Sequence, residues 1–484
     1  MDNEIIEKFF RPKSLALIGA TNTPGFGYGI PLFWKKNGWL EKAYLVNPKG
    51  GTLHGQDVYR SISEVPAKID LAVVIVPAAG VRKVLVEAGE KGIQAVIIES
   101  AGFAETGEEG RKRQEELLEI ARRYGIRLLG PNCVGVVNTE NRFETVEILD
   151  RSLEPGSVAI IAQSGVFGNI LLDHLPEAGL KISKVVTLGN EVDLDEADFL
   201  EYFVDDPQTR AIIIYEEGTK DGRRLLEALQ RACRKKPVII LKSGRTPLGK
   251  QATLSHTASL SGEDRIYDAA FRQAGAIRAD NILEMIEMAC VLSTQPPMKG
   301  RKIGVLTSSG SLGAMTADAI YYHGMELASW SQDTTEKIKN AAPGWVNIKN
   351  PLDIGPSGIF ALACQTIFGD PNPDGFILIP VIPYAAIEGF LRLGVNAKLL
   401  FGNWQTFRAK IKEKPLVAVL LGAREWTSQV KEICGEAIAT VSTPEAAAKA
   451  LSALHRLYQS LEIEADPYPN GGPGYSKIGN TLAL

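Results

Sequence analysis

The sequence predicts an α/β protein of three consecutive doubly wound domains, each a parallel sheet covered by helices on both faces. Short apolar runs ending in glycine or small polar residues alternate with helical patterns along almost the whole chain. Such runs are typical of strands buried on both faces of a parallel sheet. The 484 residues would form about three domains of roughly 150 residues each.

The apolar runs place the strands in three groups, within residues 1–150, 151–297 and 298–465. The predicted strands are Leu15–Ile18, Ala43–Val46, Leu71–Val76, Ala95–Ile98 and Arg127–Leu129, then Val158–Ile161, Val185–Leu188, Ala211–Tyr215 and Val238–Leu241, then Ile303–Thr307, Met325–Ala328, Gly375–Pro380, Leu416–Leu421 and Ile438–Val441.

An internal repeat indicates that the second and third domains share a fold. Ser164, Gly165 and Gly168 follow one buried run, and the same pattern recurs at one constant offset as Ser309, Gly310 and Gly313. We expect linkers near residues 151–156 and 294–300. The tail, residues 466–484, is rich in Pro, Gly, Asn and Ser, and we expect it to be loosely ordered.

Composition narrows the class of protein. The formal net charge of −4 gives no overall field that would attract nucleic acid or an anionic membrane. No run of about 18 apolar residues predicts a membrane span, and the acidic N-terminus lacks a signal-peptide pattern. The five cysteines are scattered without a Cys-x-x-Cys pair, which indicates reduced thiols and no zinc site. We therefore expect a cytoplasmic protein with no metal site, no nucleic-acid partner and no membrane span.

A glycine-rich turn follows the first strand and predicts a phosphate site. Glycines let the backbone approach a pyrophosphate, and the next helix presents its N–H groups to the charge. The spacing differs from Gly-x-Gly-x-x-Gly, so a plain tight turn is the alternative. The binding residues we predict in this turn are Gly19, Thr21, Asn22 and Gly25.

The end of the second strand bears on which nucleotide binds. Where a NAD site usually has a carboxylate, this chain has Lys49 followed by two glycines, which suits a ribose phosphate as in CoA or NADP. A solvated loop lysine is the alternative. Val76, Pro77, Asn132 and Cys133 also follow apolar strands, at the sheet edge where ligands bind. No activating base lies beside Cys133 in sequence, so we interpret it as structural or pocket-lining.

A histidine in a segment of small hydroxyl residues is the candidate nucleophile. His256 lies in the segment 254–262, which is predicted to be a loop and which follows Lys242 and Arg245. A neutral imidazole oriented by a carboxylate can attack a phosphoryl group. Glu216 and Glu217 end a strand and point to opposite sides, so one of them can orient the ring. The Ser164–Gly165 turn begins a helix whose N-terminus would hold phosphate.

Taken together, these segments resemble the ADP-forming acyl-CoA (acetyl-CoA) synthetases, in the nucleoside-diphosphate-forming superfamily that includes succinyl-CoA synthetase. The resemblance covers nearly all of residues 1–465. It rests on the Gly19 turn, Asn47-Pro48-Lys49, the segment 100–107, Gly130-Pro-Asn-Cys, Gln163-Ser-Gly, Glu217-Gly218 and Ser255-His256-Thr257.

The resemblance implies a CoA-binding Rossmann-like domain followed by two flavodoxin-like domains. It also implies that an acyl-CoA and phosphate give an acyl phosphate, whose phosphoryl group passes to His256 and then to ADP or GDP on an ATP-grasp domain. Glu217 matches the carboxylate that supports the histidine, and Asn132 matches a pocket residue near the thioester. The implied ligands are CoA, phosphate, a small carboxylic acid and Mg-ADP or Mg-ATP.

Two departures from the family pattern affect these expectations. Phe26 stands where members often have a lysine in the glycine-rich turn. No ATP-grasp segment follows the third domain, so we expect a partner beta subunit, in a heterotetramer, to bind the nucleotide. A degenerate CoA-sensing regulator and an NADP oxidoreductase are the competing classes. The first does not explain the retained histidine, and the second does not explain the repeated domains.

Overall fold

The computed structural model describes residues 3–146, 153–257, 262–380, 411, 413–435 and 437–465, with the single positions 392 and 408. The chain divides into two compact units, Met1–Thr294 and Gln295–Leu484. Within the described residues, the first unit contains two seven-stranded sheets and the second unit contains one six-stranded sheet. The predicted α/β class is confirmed.

The first sheet has the strand order of a dinucleotide-binding domain. Its order is β3-β4-β2-β1-β5-β6-β7, and all neighbours are parallel except the β3–β4 pair. Without β3 this is the Rossmann order 3-2-1-4-5-6, whose chain reversal lies between β1 and β5. The strands are β1 Leu15–Ile18, β2 Ala43–Val46, β3 Thr52–Leu53, β4 Gln56–Tyr59, β5 Leu71–Val74, β6 Ala95–Ile98 and β7 Arg127–Leu129. The helices are α1 Asn3–Phe10, α2 Ile30–Lys36, α3 Ala78–Glu90 and α4 Glu108–Tyr124.

The second sheet has the flavodoxin order, extended by two strands. Its order is β14-β13-β12-β10-β11-β8-β9, in which β10 to β14 are parallel and β8 runs antiparallel to β11. The strands are β8 Val136–Asn138, β9 Phe143–Glu144, β10 Pro155–Ala162, β11 Ile182–Thr187, β12 Ala211–Glu216, β13 Val238–Lys242 and β14 Ile277–Ala279. The helices are α5 Gly165–Ala178, α6 Glu196–Asp205, α7 Gly222–Lys235, α8 Pro247–Thr257, α9 Asp264–Ala274 and α10 Ile282–Thr294.

Aromatic packing joins α1 to α6 within the first unit. The rings of Phe10 and Tyr202 stack with centroids 5.3 Å apart, and Phe199 meets Phe10 edge-on at 6.2 Å. Offset and edge-on pairs of this kind stabilise a core beyond the area that they bury. Both sheets contribute to this one hydrophobic core. Side chains from the first and second sheets can therefore form one fixed site.

The second unit repeats the flavodoxin order. Its sheet runs β16-β15-β18-β19-β20, with β17 also paired to β15. The strands are β15 Lys302–Thr307, β16 Glu326–Leu327, β17 Leu352–Asp353, β18 Gly375–Ile379, β19 Leu416–Val419 and β20 Ala439–Val441. The helices in the described part of this unit are α11 Gly310–Tyr322, α12 Gln332–Ala341, α13 Phe360–Ile367, α14 Arg424–Cys434 and α15 Pro444–Ala465.

Every predicted strand is present, with ends shifted by a few residues, and β3, β4, β8, β9, β14 and β17 are additional. The loop prediction for residues 254–262 is wrong in its first part, because α8 continues to Thr257. Pro247 suits the first turn of a helix, and small hydroxyl residues do not prevent helix formation. The rest of that segment, residues 258–261, and the tail 466–484 lie outside the described residues. No helix in the described part of the chain is long and apolar enough to cross a membrane.

Candidate active site

The glycine-rich turn passes very close to the end of β5. Gly19 has φ +105°, and a Cβ built there would lie 1.9 Å from the carbonyl oxygen of Ile75. Only glycine fits this position, and it brings the turn to the chain reversal of the first sheet. Thr21 accepts a hydrogen bond from the Thr23 N–H at 3.1 Å, while Asn22 and Gly25 are exposed in the same turn. The exposed glycine-rich backbone is open to a ligand.

Asn47 connects this turn to Lys49. Its Nδ2 donates to the carbonyl of Ala20 at 2.9 Å, and its Oδ1 accepts from the Lys49 N–H at 3.0 Å. The Lys49 side chain is exposed. One amide side chain therefore holds both predicted phosphate-binding segments at the same edge of the sheet.

Val76 and Pro77 continue that edge at the start of α3. The Val76 N–H donates to the hydroxyl oxygen of Ser100 at 3.1 Å, and Pro77 is the N-terminal cap of the helix. Proline has no N–H, so it suits a helix start where N–H groups lack partners. The predicted CoA-binding residues are thus brought together on the side of the first sheet where the Rossmann fold binds ligands.

Asn132 lies where the first and second sheets meet. It follows the cis Gly130–Pro131 peptide, has φ +61° and donates from Nδ2 to Asn190 Oδ1 at 3.3 Å. Asn190 Nδ2 in turn donates to Glu105 Oε2 at 2.6 Å. Burial acts to raise the pKa of Glu105, but hydrogen bonds from Asn190 and from the backbone of Gly102 and Phe103 hold that pKa below its usual value.

Cys133, next to Asn132, lies in an environment that disfavours a thiolate. It is buried, and burial followed by the nearby Glu99 raises the pKa of its thiol far above the usual range. A thiol of this kind is poorly nucleophilic. The structural interpretation of this cysteine agrees with that environment.

The Ser164–Gly165 turn begins α5 at the end of β10. Ser164 Oγ accepts from the Phe167 N–H at 3.3 Å. A Cβ on Gly165 would lie 3.3 Å from a methyl group of Val134. The first N–H groups of a helix attract anions, so the turn can hold phosphate oxygens.

Glu216 and Glu217 follow β12, the strand adjacent to β10. Glu217 is 4% exposed, and its N–H donates to Gln163 Oε1. The Tyr215 hydroxyl hydrogen-bonds to the Glu217 carboxylate. Glu216 is 1% exposed, and neither of its carboxyl oxygens has a hydrogen-bond partner. Glu217 is therefore held at the strand end, whereas Glu216 lies within the interior.

Several acidic side chains around this strand end have raised pKa values. Burial first, and then the charge of Glu196, raises the pKa values of Glu191 and Glu216 well above their usual range. Burial likewise raises the pKa of Glu196 to about 7. Because two close carboxylates do not ionise together easily, protonated members are expected in this cluster at neutral pH.

Lys242 ends β13, the next strand in the sheet. Its Nζ donates to the Glu217 carbonyl at 2.6 Å and lies 4.6 Å from the centre of the Tyr267 ring. Burial lowers the pKa of this ammonium group, while Glu216 opposes that shift. The lysine thus holds the backbone of Glu217. Arg245, which follows it in sequence, forms an ion pair with Asp280, with 3.6 Å between Nη1 and Oδ1.

His256 occupies the last turn of α8, the helix that follows β13. The position of its side chain lies outside what the structure describes, and so does any contact between its ring and Glu217. The backbone nevertheless places this histidine after the strand that neighbours β12. Among the described residues there is no group of three or more His, Cys, Asp or Glu side chains suited to a metal ion.

Sequence reasoning gave no role to Gln163, Asn190, Glu191 or Lys220, which connect these segments. Lys220 Nζ donates to the Asn190 and Glu191 carbonyls, and Gln163 Nε2 donates to Glu191 Oε1 at 2.8 Å. The position of Gln163 directly before the Ser-Gly turn was the available signal. The contacts of a buried amide depend on strands that are distant in sequence.

The order of domains defines the class of protein. Residues 13–139 match the family model of a CoA binding domain, and residues 155–292 match that of a succinyl-CoA ligase like flavodoxin domain. A CoA-binding domain followed by such a domain is the arrangement of an acyl-CoA synthetase of the succinyl-CoA ligase type.

Full-length relatives specify the family. The chain is 38% identical over 483 residues to subunit alpha of acetate–CoA ligase [ADP-forming] I of Pyrococcus furiosus, covering 93% of this chain and 97% of the relative. Subunit alpha of ligase II of the same organism is 40% identical over 383 residues, 78% of this chain and 83% of that one. The structure of acetyl-coenzyme A synthetase 1 of Candidatus Korarchaeum cryptofilum, in complex with phosphate and ADP, matches with TM-score 0.85 and 30% identity over 94% of this chain and 97% of the other.

The chain therefore belongs to the NDP-forming acyl-CoA synthetases, as a chain of the alpha-subunit type. The family inferred from the sequence is confirmed, as are the acid–thiol ligase class and the fold of a CoA-binding domain followed by a succinyl-CoA-ligase-like flavodoxin domain.

Proposed function

We propose that this chain carries the CoA and phosphate steps of the synthetase, and that His256 transfers the phosphoryl group. A phosphate oxygen attacks the thioester carbon, the C–S bond breaks and CoA leaves as a thiolate that takes up a proton. A nitrogen of His256 then attacks the phosphorus of the acyl phosphate, and the carboxylic acid leaves as its carboxylate. Last, a terminal oxygen of ADP attacks the phosphorus, the P–N bond breaks and ATP forms.

CoA is assigned to the first sheet. Gly19, Thr21, Asn22 and Gly25 would bind the pyrophosphate, and Lys49 would bind the ribose phosphate. Val76 and Pro77 border the same edge. Asn132 would line the pocket around the thioester, which is supported by its position between the two sheets.

Phosphoryl transfer is assigned to the second sheet. The Ser164–Gly165 turn would hold phosphate oxygens at the N-terminus of α5. The Glu217 carboxylate would accept an imidazole N–H of His256, fix the tautomer and offset the positive charge of the phosphorylated ring. Buried Glu216, with its raised pKa, suits this task less well because it resists ionisation.

One observation carries this proposal. The strands β10, β12 and β13 are adjacent in the sheet. The Ser164 turn follows β10 and Glu217 follows β12, while Lys242 is the last residue of β13, after which comes the helix bearing His256. The β10–β12 boundary is also where the flavodoxin order reverses, which is where such folds bind ligands. Groups for holding phosphate and for supporting a histidine therefore converge at one crevice.

The nucleotide step is assigned to a second chain. Relatives of matching length are named as alpha subunits, which supports a partner subunit. We propose that this partner is an ATP-grasp beta subunit that binds Mg-ADP or Mg-ATP, in a heterotetramer. The substrates would be a small carboxylic acid and its acyl-CoA, and the scattered free cysteines support a cytoplasmic location. The alternative of a degenerate regulator is not favoured, because the histidine is retained and the relatives are ligases.

The test is phosphorylation of His256. The full chain, incubated with acetyl-CoA and labelled phosphate, should acquire an acid-labile, base-stable label, and His256→Asn should abolish it because no nucleophilic nitrogen remains. His323→Asn, in the second unit, should label like the wild type. ATP should form only after the partner and ADP are added. A label that survives in His256→Asn would refute the proposed carrier.

A further inference from the structure

We propose that Gln163 is a positioning residue of this site. Its side-chain amide fixes the Glu217–Gly218 peptide and thereby sets the Glu217 carboxylate at the crevice. The inference rests on the role proposed above for Glu217. It concerns a side chain that acts through the backbone that it holds.

The Gln163 amide uses all of its hydrogen-bonding capacity inside the protein. Its Oε1 accepts from the N–H groups of both Glu217 and Gly218, the latter at 3.0 Å. Its Nε2 donates to the Gly218 carbonyl at 2.6 Å and to Glu191 Oε1 at 2.8 Å. An amide side chain has two donor hydrogens and an acceptor oxygen with two lone pairs. The side chain is 4% exposed, so water does not replace these bonds.

The Glu217–Gly218 peptide lies beyond the end of the β-sheet ladder. The ladder between β12 and β13 ends at the Glu216–Lys242 pair. Beyond it, the two N–H groups and the Gly218 carbonyl bond to Gln163, and the Glu217 carbonyl accepts from Lys242 Nζ at 2.6 Å. The side chains of Gln163 and Lys242 therefore make the hydrogen bonds that a neighbouring strand would otherwise make. They fix the backbone of Glu217 and thereby the direction of its side chain.

The far side of the amide is also anchored. Glu191, the acceptor of Nε2, has φ +53°, a conformation that costs energy for a residue other than glycine and that persists only when its surroundings hold it. Lys220 Nζ bonds to its carbonyl. Gln163 is thus held by a strained, buried glutamate on one side while it holds Glu217 on the other.

The same residue also places the phosphate-holding turn. The Gln163 N–H donates to the Tyr215 carbonyl at 3.2 Å, and its own carbonyl accepts from the Gly189 N–H at 3.1 Å. Ser164 and α5 follow directly. The separation between the helix N-terminus and the Glu217 carboxylate is therefore set by one residue, and misplacement of a reacting group by about 1 Å can cost about 10²-fold in rate.

The first test uses two substitutions of Gln163 that remove different hydrogen bonds. Gln163→Met keeps the length of the side chain and removes all of its hydrogen bonds. Gln163→Glu keeps an oxygen that can accept from the N–H groups of Glu217 and Gly218. With labelled acetyl phosphate, Gln163→Met should lower the maximal rate of His256 phosphorylation about 10²-fold, with a smaller change in the half-saturating concentration. Amide hydrogen exchange of residues 216–222 should lose protection in Gln163→Met and retain it in Gln163→Glu.

The matched control is Asn138→Leu. Asn138 is another fully buried amide of the first unit, and its Nδ2 donates to the Phe10 carbonyl at 3.1 Å. This variant should lose thermal stability yet keep the phosphorylation rate and the protection of residues 216–222. Wild-type labelling by Gln163→Met, or a slow Gln163→Met whose residues 216–222 stay protected, would overturn the inference and leave the proposed function standing. A wild-type chain that never labels at His256 would overturn both.

Discussion

The two flavodoxin-like sheets contain the same strand, Ser-Gly turn and helix, but the strand beside that turn leads into a pair of glutamates only in the first sheet. In the first unit, β10 leads into Ser164–Gly165, and the neighbouring β12 ends with Glu216 and Glu217. In the second unit, β15 leads into Ser309–Gly310, and the equivalent neighbour β18 ends at Ile379, followed in sequence by Pro380 and Val381. Pairing aligns Ala162 with Tyr215 and Thr307 with Ile379, so the two glutamates correspond to a proline and a valine.

The residue before the serine of each turn also differs between the two sheets. Gln163 holds a neighbouring strand end, whereas Ser308 takes its place in the second unit. There the Ser309 hydroxyl contacts that of Ser311 at 2.9 Å, and a Cβ on Gly310 would lie 2.9 Å from Asp353 Oδ2. The repeated unit thus supplies a helix N-terminus in both sheets. The two sheets differ in the residues that flank it.

Among the substitutions at the two turns, Glu217→Gln should have the largest effect. The amide keeps the size of the carboxylate but cannot offset the charge of a phosphorylated imidazole. We expect the rate of His256 labelling to fall by roughly 10²-fold or more, as when a preorganised electrostatic group is removed. The measurement is labelling by acetyl phosphate under saturating conditions.

The control for Glu217→Gln is Glu144→Gln. Glu144 is another buried glutamate of the first unit, on β9, with Asn37 Nδ2 at 3.2 Å from its Oε1. This substitution should leave labelling unchanged. Equal loss in both variants would mean that any buried carboxylate matters, and the special place of the first turn would be lost.

A smaller effect should separate the two repeated helices. A Cβ on Gly168 would lie 2.8 Å from Thr187 Cγ2, and hydrogen bonds to Val134 and Gly135 prevent that threonine from turning away. On Gly313 the nearest atoms would lie 3.3 Å away. Gly168→Ala should destabilise the first unit by about 1–2 kcal/mol through overpacking. Gly313→Ala should be near neutral, because helix propensity gains up to about 1 kcal/mol.

Denaturant unfolding followed by hydrogen exchange in each unit measures both changes. Comparable losses from the two alanines would show that the helices pack against their strands equally closely, contrary to the distances in the structure.

The smallest effect is a difference in pH dependence. Burial raises the pKa values of Glu144 and Glu196 from 4.5 to about 7, so below that pH both carboxyls favour the neutral form in the folded protein. Their stabilising contribution is complete below pH 4.5 and is lost as the pH rises through 7. In the second unit, hydrogen bonds lower the pKa of Asp370 despite burial, and its contribution is lost only as the pH falls below about 4.

From pH 5 to 7 the first unit should therefore lose thermal stability while the second stays constant. Glu144→Gln should reduce the fall in Tm by about 2–4 °C, the effect of roughly 1 kcal/mol in domains of this size. Calorimetry at pH 5, 6 and 7 measures it. A parallel decline of both units would remove the buried glutamates as its cause.

Much of the fold was predictable because parallel strands are local and apolar. Every residue of β1, β5 and β6 is buried, so composition alone identifies these strands. The missed strands are short or contain polar residues, such as β3 at Thr52–Leu53. The antiparallel pairing of β8 with β11 could not be predicted either, because it joins segments separated by two strands and a helix.

The positions of the candidate residues in the fold were predictable to a similar degree. Gly19, Glu217 and the Ser164 turn stand at strand ends, and strand ends can be identified from sequence. The hydrogen bonds of Gln163 to the Glu217–Gly218 peptide, the strained backbone of Glu191 and the raised pKa of Glu216 could not be predicted. They depend on which strands become neighbours and on how deeply the side chains are buried.

The crossing of β8 into the second sheet restricts how such chains can recombine. A break after residue 139, where the match to the CoA binding domain ends, would remove β8 together with the first domain. The backbone of β11 at Lys184, Val185 and Val186 would then be an unpaired edge, open to pairing with another molecule. Exchange of CoA-binding domains between relatives should therefore succeed only where the incoming segment supplies its own covering strand.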